Sequence, residues 1–109
     1  MSTAKASGKI VPERLAQLRV LIVDDNAAAR EILQEPLSSV ASYVKVVASG
    51  PEAIAAVKAR DATEPFDIIF MDWRMPGMDG LQASRHIKSD ETLRHQPHIV
   101  LVTAFGREE

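Results

Sequence analysis

Residues 20–26 read VLIVDDN, and residues 68–72 read IIFMD. In both stretches a short, almost wholly apolar run ends on acidic side chains, Asp24 and Asp25 in the first and Asp72 in the second. Runs this short and this apolar are typical of strands buried on both faces of a parallel sheet. A carboxylate directly after such a strand lies at the carboxyl edge of the sheet, where open α/β folds bind ligands. The two stretches therefore predict an α/β fold with three carboxylates at one edge.

Strand and helix patterns alternate along the chain. Strands are predicted at residues 20–23, 43–48, 67–71 and 98–102. Lys45 interrupts the apolar run of the second strand, which favours an edge position. The helix predicted at 81–88 is expected to turn Leu81, Ser84 and Ile87 toward the sheet. The βαβαβαβ order predicts a parallel sheet covered by helices on both faces, joined by right-handed crossovers.

Length and composition indicate one domain. The chain has 109 residues, enough for a single core and too few for two. Residues 1–18 are polar and rich in small side chains, so we interpret them as a linker and expect the domain to span 19–109.

Charge and composition exclude several classes of function. A net charge of -2 argues against a nucleic-acid-binding domain, which normally carries a basic excess. There is no cysteine, which rules out a thiolate metal site or nucleophile and fits a reducing compartment. No apolar stretch approaches the roughly 18 residues of a membrane span, so we expect no membrane contact by this domain and a cytoplasmic location.

Three carboxylates at one edge repel one another unless a cation joins them, and this indicates Mg²⁺ and phosphate chemistry. Asp72 is expected roughly 5 Å from the first pair, across adjacent strands. Mg²⁺ is satisfied by one or two carboxylates together with waters and a phosphate. The tight loop at 75–80, MPGMDG, can offer a backbone carbonyl as a further ligand, and Thr103 can donate its hydroxyl to an oxyanion at Asp72. Turn formation or helix capping explains any one Asp, but three at matching strand ends much less well.

These motifs, in this order, resemble the receiver domain of two-component response regulators. The resemblance rests on VDDN, on the strand that ends at Asp72, on MPGMDG, and on the strand that ends at Thr103 and Ala104. It covers residues 19–109, and the motif MDWRMPG is most similar to that of receivers fused to hybrid sensor histidine kinases. It implies a flavodoxin-like, doubly wound parallel sheet of order 2-1-3-4-5, of which the fifth strand and the last helices are expected to be missing here.

The resemblance also implies a role for each candidate site residue. Asp72 would accept a phosphoryl group from the phosphohistidine of a histidine kinase or a histidine phosphotransfer domain. Asp24, Asp25 and Asp72 would hold Mg²⁺, with the main-chain carbonyl of Arg74 as a further ligand. Thr103 would turn toward the phosphoryl oxygens and switch the conformation. A receiver of this kind promotes its own phosphorylation and dephosphorylation, and its parent protein can be a membrane-anchored hybrid kinase.

One departure from the family concerns the fifth strand, which carries a phosphate-pairing Lys and an aromatic switch residue. Neither residue has a counterpart in this sequence, since Lys58 and Lys88 fall in predicted helices. Without that strand, the apolar edge of the strand at 98–102 is expected to be exposed. We therefore expect either that the parent protein continues or that this chain shields the edge by forming a homodimer.

Two other functions compete with the phosphoacceptor reading. A metal-dependent phosphohydrolase with an Asp nucleophile usually has a general acid two residues after that Asp, and here this position is Arg74. A pseudo-receiver would bind partners without being phosphorylated; the complete acidic triad argues against it, whereas the missing Lys leaves it open.

Overall fold

A computed structural model describes residues 16–102 of the chain. Within this range the secondary structure comprises β1 (Arg19–Val23), α1 (Ala27–Ser38), β2 (Tyr43–Val47), α2 (Gly50–Arg60), β3 (Ile68–Asp72), α3 (Gly80–Lys88) and β4 (His98–Val102). The predicted alternation of strands and helices is confirmed. Thr103 and all but the end of the predicted linker lie outside the described residues, so the proposed domain boundary stays a prediction.

The four strands form one parallel sheet in the order β2-β1-β3-β4. The central strand β1 pairs with β2 on one side and β3 on the other, and Val23 stands opposite both Val47 and Met71. This is the order expected for a flavodoxin-like, doubly wound sheet. The edge position predicted for β2 from Lys45 is also confirmed, and β4 forms the opposite edge of the described sheet.

The hydrophobic core contains the apolar runs of the sequence, which form the buried strands of the sheet. Val20 to Val23 on β1 are at most 1% exposed, which requires cover on both faces of the sheet. Helices α2 and α3 share one hydrophobic cluster with alternate residues of β1 and β3, and α1 packs against β1 and β2. The members of that cluster are Leu21, Val23, Ala53, Ala56, Val57, Phe66, Ile69, Met71, Met75, Ala83 and Ile87.

Each helix begins at a side chain that accepts hydrogen bonds from free backbone N–H groups. Asn26 caps α1, Ser49 caps α2, and Asp79 forms a reciprocal capping box with Gln82 at the start of α3. The expectation that Leu81 faces the sheet was wrong, because it is 43% exposed and Ala83 is buried instead. With the cap at Asp79 and the first turn at Gly80, the inward positions of α3 are 80, 83, 84 and 87. None of the helices within residues 16–102 has the length and apolar character of a membrane span.

Candidate functional site

The predicted carboxylates meet at the carboxyl edge of the sheet. Val23 on β1 and Met71 on β3 are in register, so Asp24 and Asp72 follow at the same height on neighbouring strands. Asp25 joins them as the chain leaves β1, and the three side chains each place a carboxylate oxygen within 4.8 Å of the other two. Asp24 and Asp72 are buried, at 7% and 6% exposure, whereas Asp25 is exposed. The site is therefore an acidic cluster of two buried carboxylates and one exposed carboxylate.

Asp24 is held through its backbone and its side chain. Its N–H donates to the carbonyl of Val47 at 3.2 Å, which ties it to β2. Its carboxylate Oδ1 accepts the N–H of Asn26 at 2.9 Å. Its carbonyl accepts a hydrogen bond from Nη1 of Arg30 at 2.7 Å. These bonds fix the turn that leads from β1 into α1.

The loop after Asp72 folds back on the strand that carries it. The Arg74 N–H donates to Oδ1 of Asp72 at 3.2 Å, and the Trp73 N–H donates to the carbonyl of Val102 at 3.3 Å. The Gly80 N–H then donates to the Trp73 carbonyl at 3.0 Å, which brings the start of α3 against the strand end. Gly77 supplies the one positive φ among the described glycines, +77°, and so permits the tight turn.

Trp73 follows Asp72 directly and begins this loop. The guanidinium carbon of Arg74 lies 5.3 Å from the centre of the Trp73 ring, a cation–π distance. Trp73 is 39% exposed, so part of this residue is in contact with solvent. As the one tryptophan of the chain, it is a local fluorescence probe of the site.

The donor set fits a hard divalent cation. Two unit charges about 5 Å apart repel by about 3 kcal/mol at an effective dielectric constant of about 20, so three ionised carboxylates destabilise one another. The oxygens of Asp24, Asp25 and Asp72 are near enough to share one ion. Mg²⁺ takes oxygen ligands and retains waters, and the exposed side at Asp25 leaves room for them.

The structure thus brings together Asp24, Asp25 and Asp72 and places the Arg74 backbone beside them. Thr103 lies beyond the described range, so its role stays a prediction. One residue near the site was missed at the sequence level. Arg30 binds the Asp24 carbonyl, and its position four residues after the capping Asn26 is a faint signal for it. Gly80 belongs to the predicted tight loop at 75–80, and it lies against the backbone of Asp72.

Comparison with known proteins agrees with this geometry. Residues 20–109 match the family model of the response regulator receiver domain. The chain is 40% identical over 84 residues to the sensor histidine kinase GacS of Pseudomonas protegens, a match of 77% of this chain and 9% of GacS. It is 43% identical over 87 residues to the response regulator PleD of Caulobacter vibrioides, a match of 80% of this chain and 18% of PleD. The chain therefore spans a small part of the length of these relatives.

A solved structure extends the agreement to the fold. The receiver domain of the Arabidopsis thaliana histidine kinase CKI1, crystallised with Mg²⁺ and BeF₃⁻, superimposes with a TM-score of 0.75 at 35% identity. The alignment covers 84% of this chain and 69% of that one. Sheet order, acidic cluster and family match agree, and this chain belongs to the response regulator receiver domain family of two-component signalling.

Proposed function

We propose that this domain is a phosphoacceptor, in which Asp72 receives a phosphoryl group from the phosphohistidine of a histidine kinase or histidine phosphotransfer partner. The observation that carries the proposal is the convergence of the Asp24, Asp25 and Asp72 carboxylate oxygens within 4.8 Å. Asp24, Asp25 and Asp72 would hold Mg²⁺, with the main-chain carbonyl of Arg74 as the fourth protein ligand. Bound there, the ion would offset the negative charge of the carboxylates and of the incoming phosphoryl oxygens.

The transfer itself needs one nucleophilic oxygen in the correct place. A carboxylate oxygen of Asp72 forms a bond to phosphorus while the bond between phosphorus and the donor imidazole nitrogen breaks. The imidazole keeps that electron pair and later takes up a proton. Such a loose transition state depends on positioning and charge more than on covalent assistance. The buried position of Asp72 and the hydrogen bond from the Arg74 N–H supply the positioning.

The product would alter the charge at the edge of the sheet. An aspartyl phosphate carries about -1.5 to -2 charge and three terminal phosphoryl oxygens, where the ionised carboxylate carried a single negative charge. We propose that Thr103 donates its hydroxyl to one of these oxygens and so couples the modification to the end of β4. A change of this kind biases an element that has two conformations. The proposed location is the cytoplasm, either free or as part of a membrane-anchored kinase.

Incubation with a small acyl phosphate and Mg²⁺, followed by intact-protein mass spectrometry, tests the proposal. We expect a single acid-labile adduct of about 80 Da that is lost in Asp72→Asn. Asp79→Asn is the matched control, because it removes the same charge from the loop that follows Asp72, while Asn caps helix α3 about as well as Asp. This control should be modified like the wild type.

Each other outcome points either to a competing function or to a different acceptor residue. Sustained hydrolysis of phosphate esters, without an adduct, would indicate a phosphohydrolase. The absence of any adduct on the wild type, from either the small donor or a phosphohistidine protein, would indicate a pseudo-receiver. An adduct that persists in Asp72→Asn would move the acceptor to another residue and contradict the assignment of Asp72.

A further inference from the structure

Arg30 makes an unusual contact at the start of α1. Its N–H closes the first helical turn on the Asn26 carbonyl at 3.0 Å, and its guanidinium reaches back beyond the helix start to the Asp24 carbonyl at 2.7 Å. Helical side chains lean toward the N-terminus, so this reach agrees with the geometry of a helix. The side chain is partly buried rather than extended into solvent.

Helix stability does not explain a cation in this place. The N-terminus of a helix carries partial positive charge and favours acidic side chains, yet the first turn of α1 contains none. Nor does a surface ion pair explain it, because among residues 16–102 no carboxylate forms an ion pair within 4.0 Å of the Arg30 guanidinium. The polar partner that the structure gives this side chain is a peptide carbonyl.

That carbonyl belongs to the peptide that joins Asp24 to Asp25. The other side of Asp24 is held by its N–H bond to Val47 on β2. Arg30 thus completes the fixation of the backbone from which both carboxylates project. Because it occupies the carbonyl and not a carboxylate, the oxygens of Asp24 and Asp25 remain available to a cation.

We propose that Arg30 is a positioning residue for the divalent-cation site, which sets the orientation of the Asp24–Asp25 peptide and thereby the Mg²⁺ affinity. The inference rests on the proposed function, since it requires these two carboxylates to bind the ion. Outer partners of metal ligands typically change metal affinity about 10–100-fold when they are removed. We expect a loss in that range on removal of the Arg30 guanidinium.

A positioning role and a simple charge effect predict opposite signs. Arg30 carries a positive charge near the ion, so if it acted through charge alone, Arg30→Gln would tighten Mg²⁺ binding. If it positions the ligands, Arg30→Gln weakens binding although a repulsive charge has been removed. Arg30→Lys keeps the charge but replaces the planar, multiply donating guanidinium by a compact ammonium, so positioning predicts an intermediate loss and charge alone predicts none.

Calorimetric titration of the chain with MgCl₂ at constant ionic strength measures this affinity, and thermal unfolding without Mg²⁺ measures stability separately. The matched control is Lys88→Gln, which removes one positive charge at the exposed far end of α3, roughly 12 Å along the helix from Gly80. We expect about 10-fold or greater weakening in Arg30→Gln, less in Arg30→Lys, and wild-type affinity in the control.

The outcomes separate this inference from the proposed function. Unchanged or tighter binding in Arg30→Gln, with a normal wild type, would overturn the role of Arg30 alone. A wild-type chain that does not bind Mg²⁺ would overturn the cation site and the role of Arg30 together. If Arg30→Gln fails to fold, Arg30→Lys decides, because wild-type affinity there contradicts positioning and weaker affinity supports it.

Discussion

Gly80 packs against the backbone of Asp72 and Trp73 more closely than a side chain allows. A Cβ at this position would stand 2.5 Å from the Asp72 carbonyl oxygen and 2.6 Å from the Trp73 Cα. Both are backbone atoms, so rotation of a side chain cannot relieve the contact. The glycine is therefore required by the close approach of α3 to the end of β3, and the geometry of Asp72 depends on it.

We predict that Gly80→Ala lowers both stability and Mg²⁺ affinity. Overpacking of this kind costs about 1–3 kcal/mol, and here the shift falls on the residue that carries the carboxylate. Gly77→Ala is the control: its φ of +77° is strained for Ala, but no atom lies within 4 Å of the new Cβ. That control should lose about 1–2 kcal/mol of stability and keep its Mg²⁺ affinity. Equal loss of affinity in both variants, by calorimetric titration, would argue against a specific role for Gly80.

At the residue scale, the site residues that could be predicted from the sequence are those that lie at the ends of strands. Asp24 and Asp72 could be placed because apolar runs fix where β1 and β3 stop, and parallel register then brings the stops together. The contact from Arg30 to the Asp24 carbonyl could not be predicted in this way. It depends on the direction of one long side chain across a helix start, and no hydrophobic pattern reports that direction.

At the scale of elements, Asp61 joins the end of α2 to the segment before β4. Its carboxylate accepts the Arg94 N–H with both oxygens, at 2.9 and 2.8 Å, and the His95 N–H at 2.9 Å. The hydrogen bond from the Arg94 N–H, and to a smaller extent that from the His95 N–H, stabilises the ionised carboxylate. These bonds hold the pKa of Asp61 below its ordinary value of 3.8, although burial acts in the opposite direction.

The lowered pKa predicts a pH-dependent contribution to stability. An unfolded Asp61 takes up its proton near 3.8, above the lowered pKa of the folded state. The contribution of the ionised Asp61 to the free energy of unfolding is therefore complete above pH 3.8, and it is lost as the pH falls through the folded-state pKa. We predict that Asp61→Asn is less stable than the wild type at pH 7 and that the difference shrinks below pH 3.8, in chemical unfolding at each pH.

The matched control for Asp61 is Glu64→Gln. Glu64 is 63% exposed and pairs with Arg60 at 3.0 Å, and such surface pairs contribute little to stability. This variant should unfold almost as the wild type does at every pH. A difference for Asp61→Asn that stays constant down to the acid limit would mean that the residue acts through packing and not through its charge.

The hydrophobic pattern of α3 predicts that the segment is helical, but it does not predict correctly every residue that faces the sheet. The sequence pattern predicts the helical period of α3, but a helix start at Leu81 places Leu81 on the inner face together with Ser84 and Ile87. The helix starts one residue earlier, at Gly80 behind the Asp79 cap, and small residues occupy the inner positions near the start. The close approach to β3 leaves no space for a side chain at Gly80, and with Gly80 on the inner face Leu81 is 43% exposed.

At the scale of the whole molecule, β4 leaves apolar surface at the rim of the sheet. Within the described residues β4 pairs with β3 alone, and Val100 and Leu101 are 40% and 41% exposed. Adjacent strand residues point to opposite faces, so both faces contribute to this surface. Such an edge can pair with another strand, and two copies related by a twofold axis would pair β4 with itself in antiparallel orientation.

Unless a further strand of a longer parent protein covers this edge, we predict that the chain self-associates through β4 and that Leu101→Lys weakens this association, because a charged side chain on an edge strand opposes strand pairing. Sedimentation equilibrium over a range of concentrations should show a mass that rises toward twice the 11.9 kDa monomer for the wild type and rises less for Leu101→Lys. Ile32→Lys is the control, since Ile32 is an apolar residue on α1 that is 59% exposed. A monomeric wild type at every concentration, or equal weakening in both variants, would exclude β4 as the interface, because the control adds the same charge away from the edge.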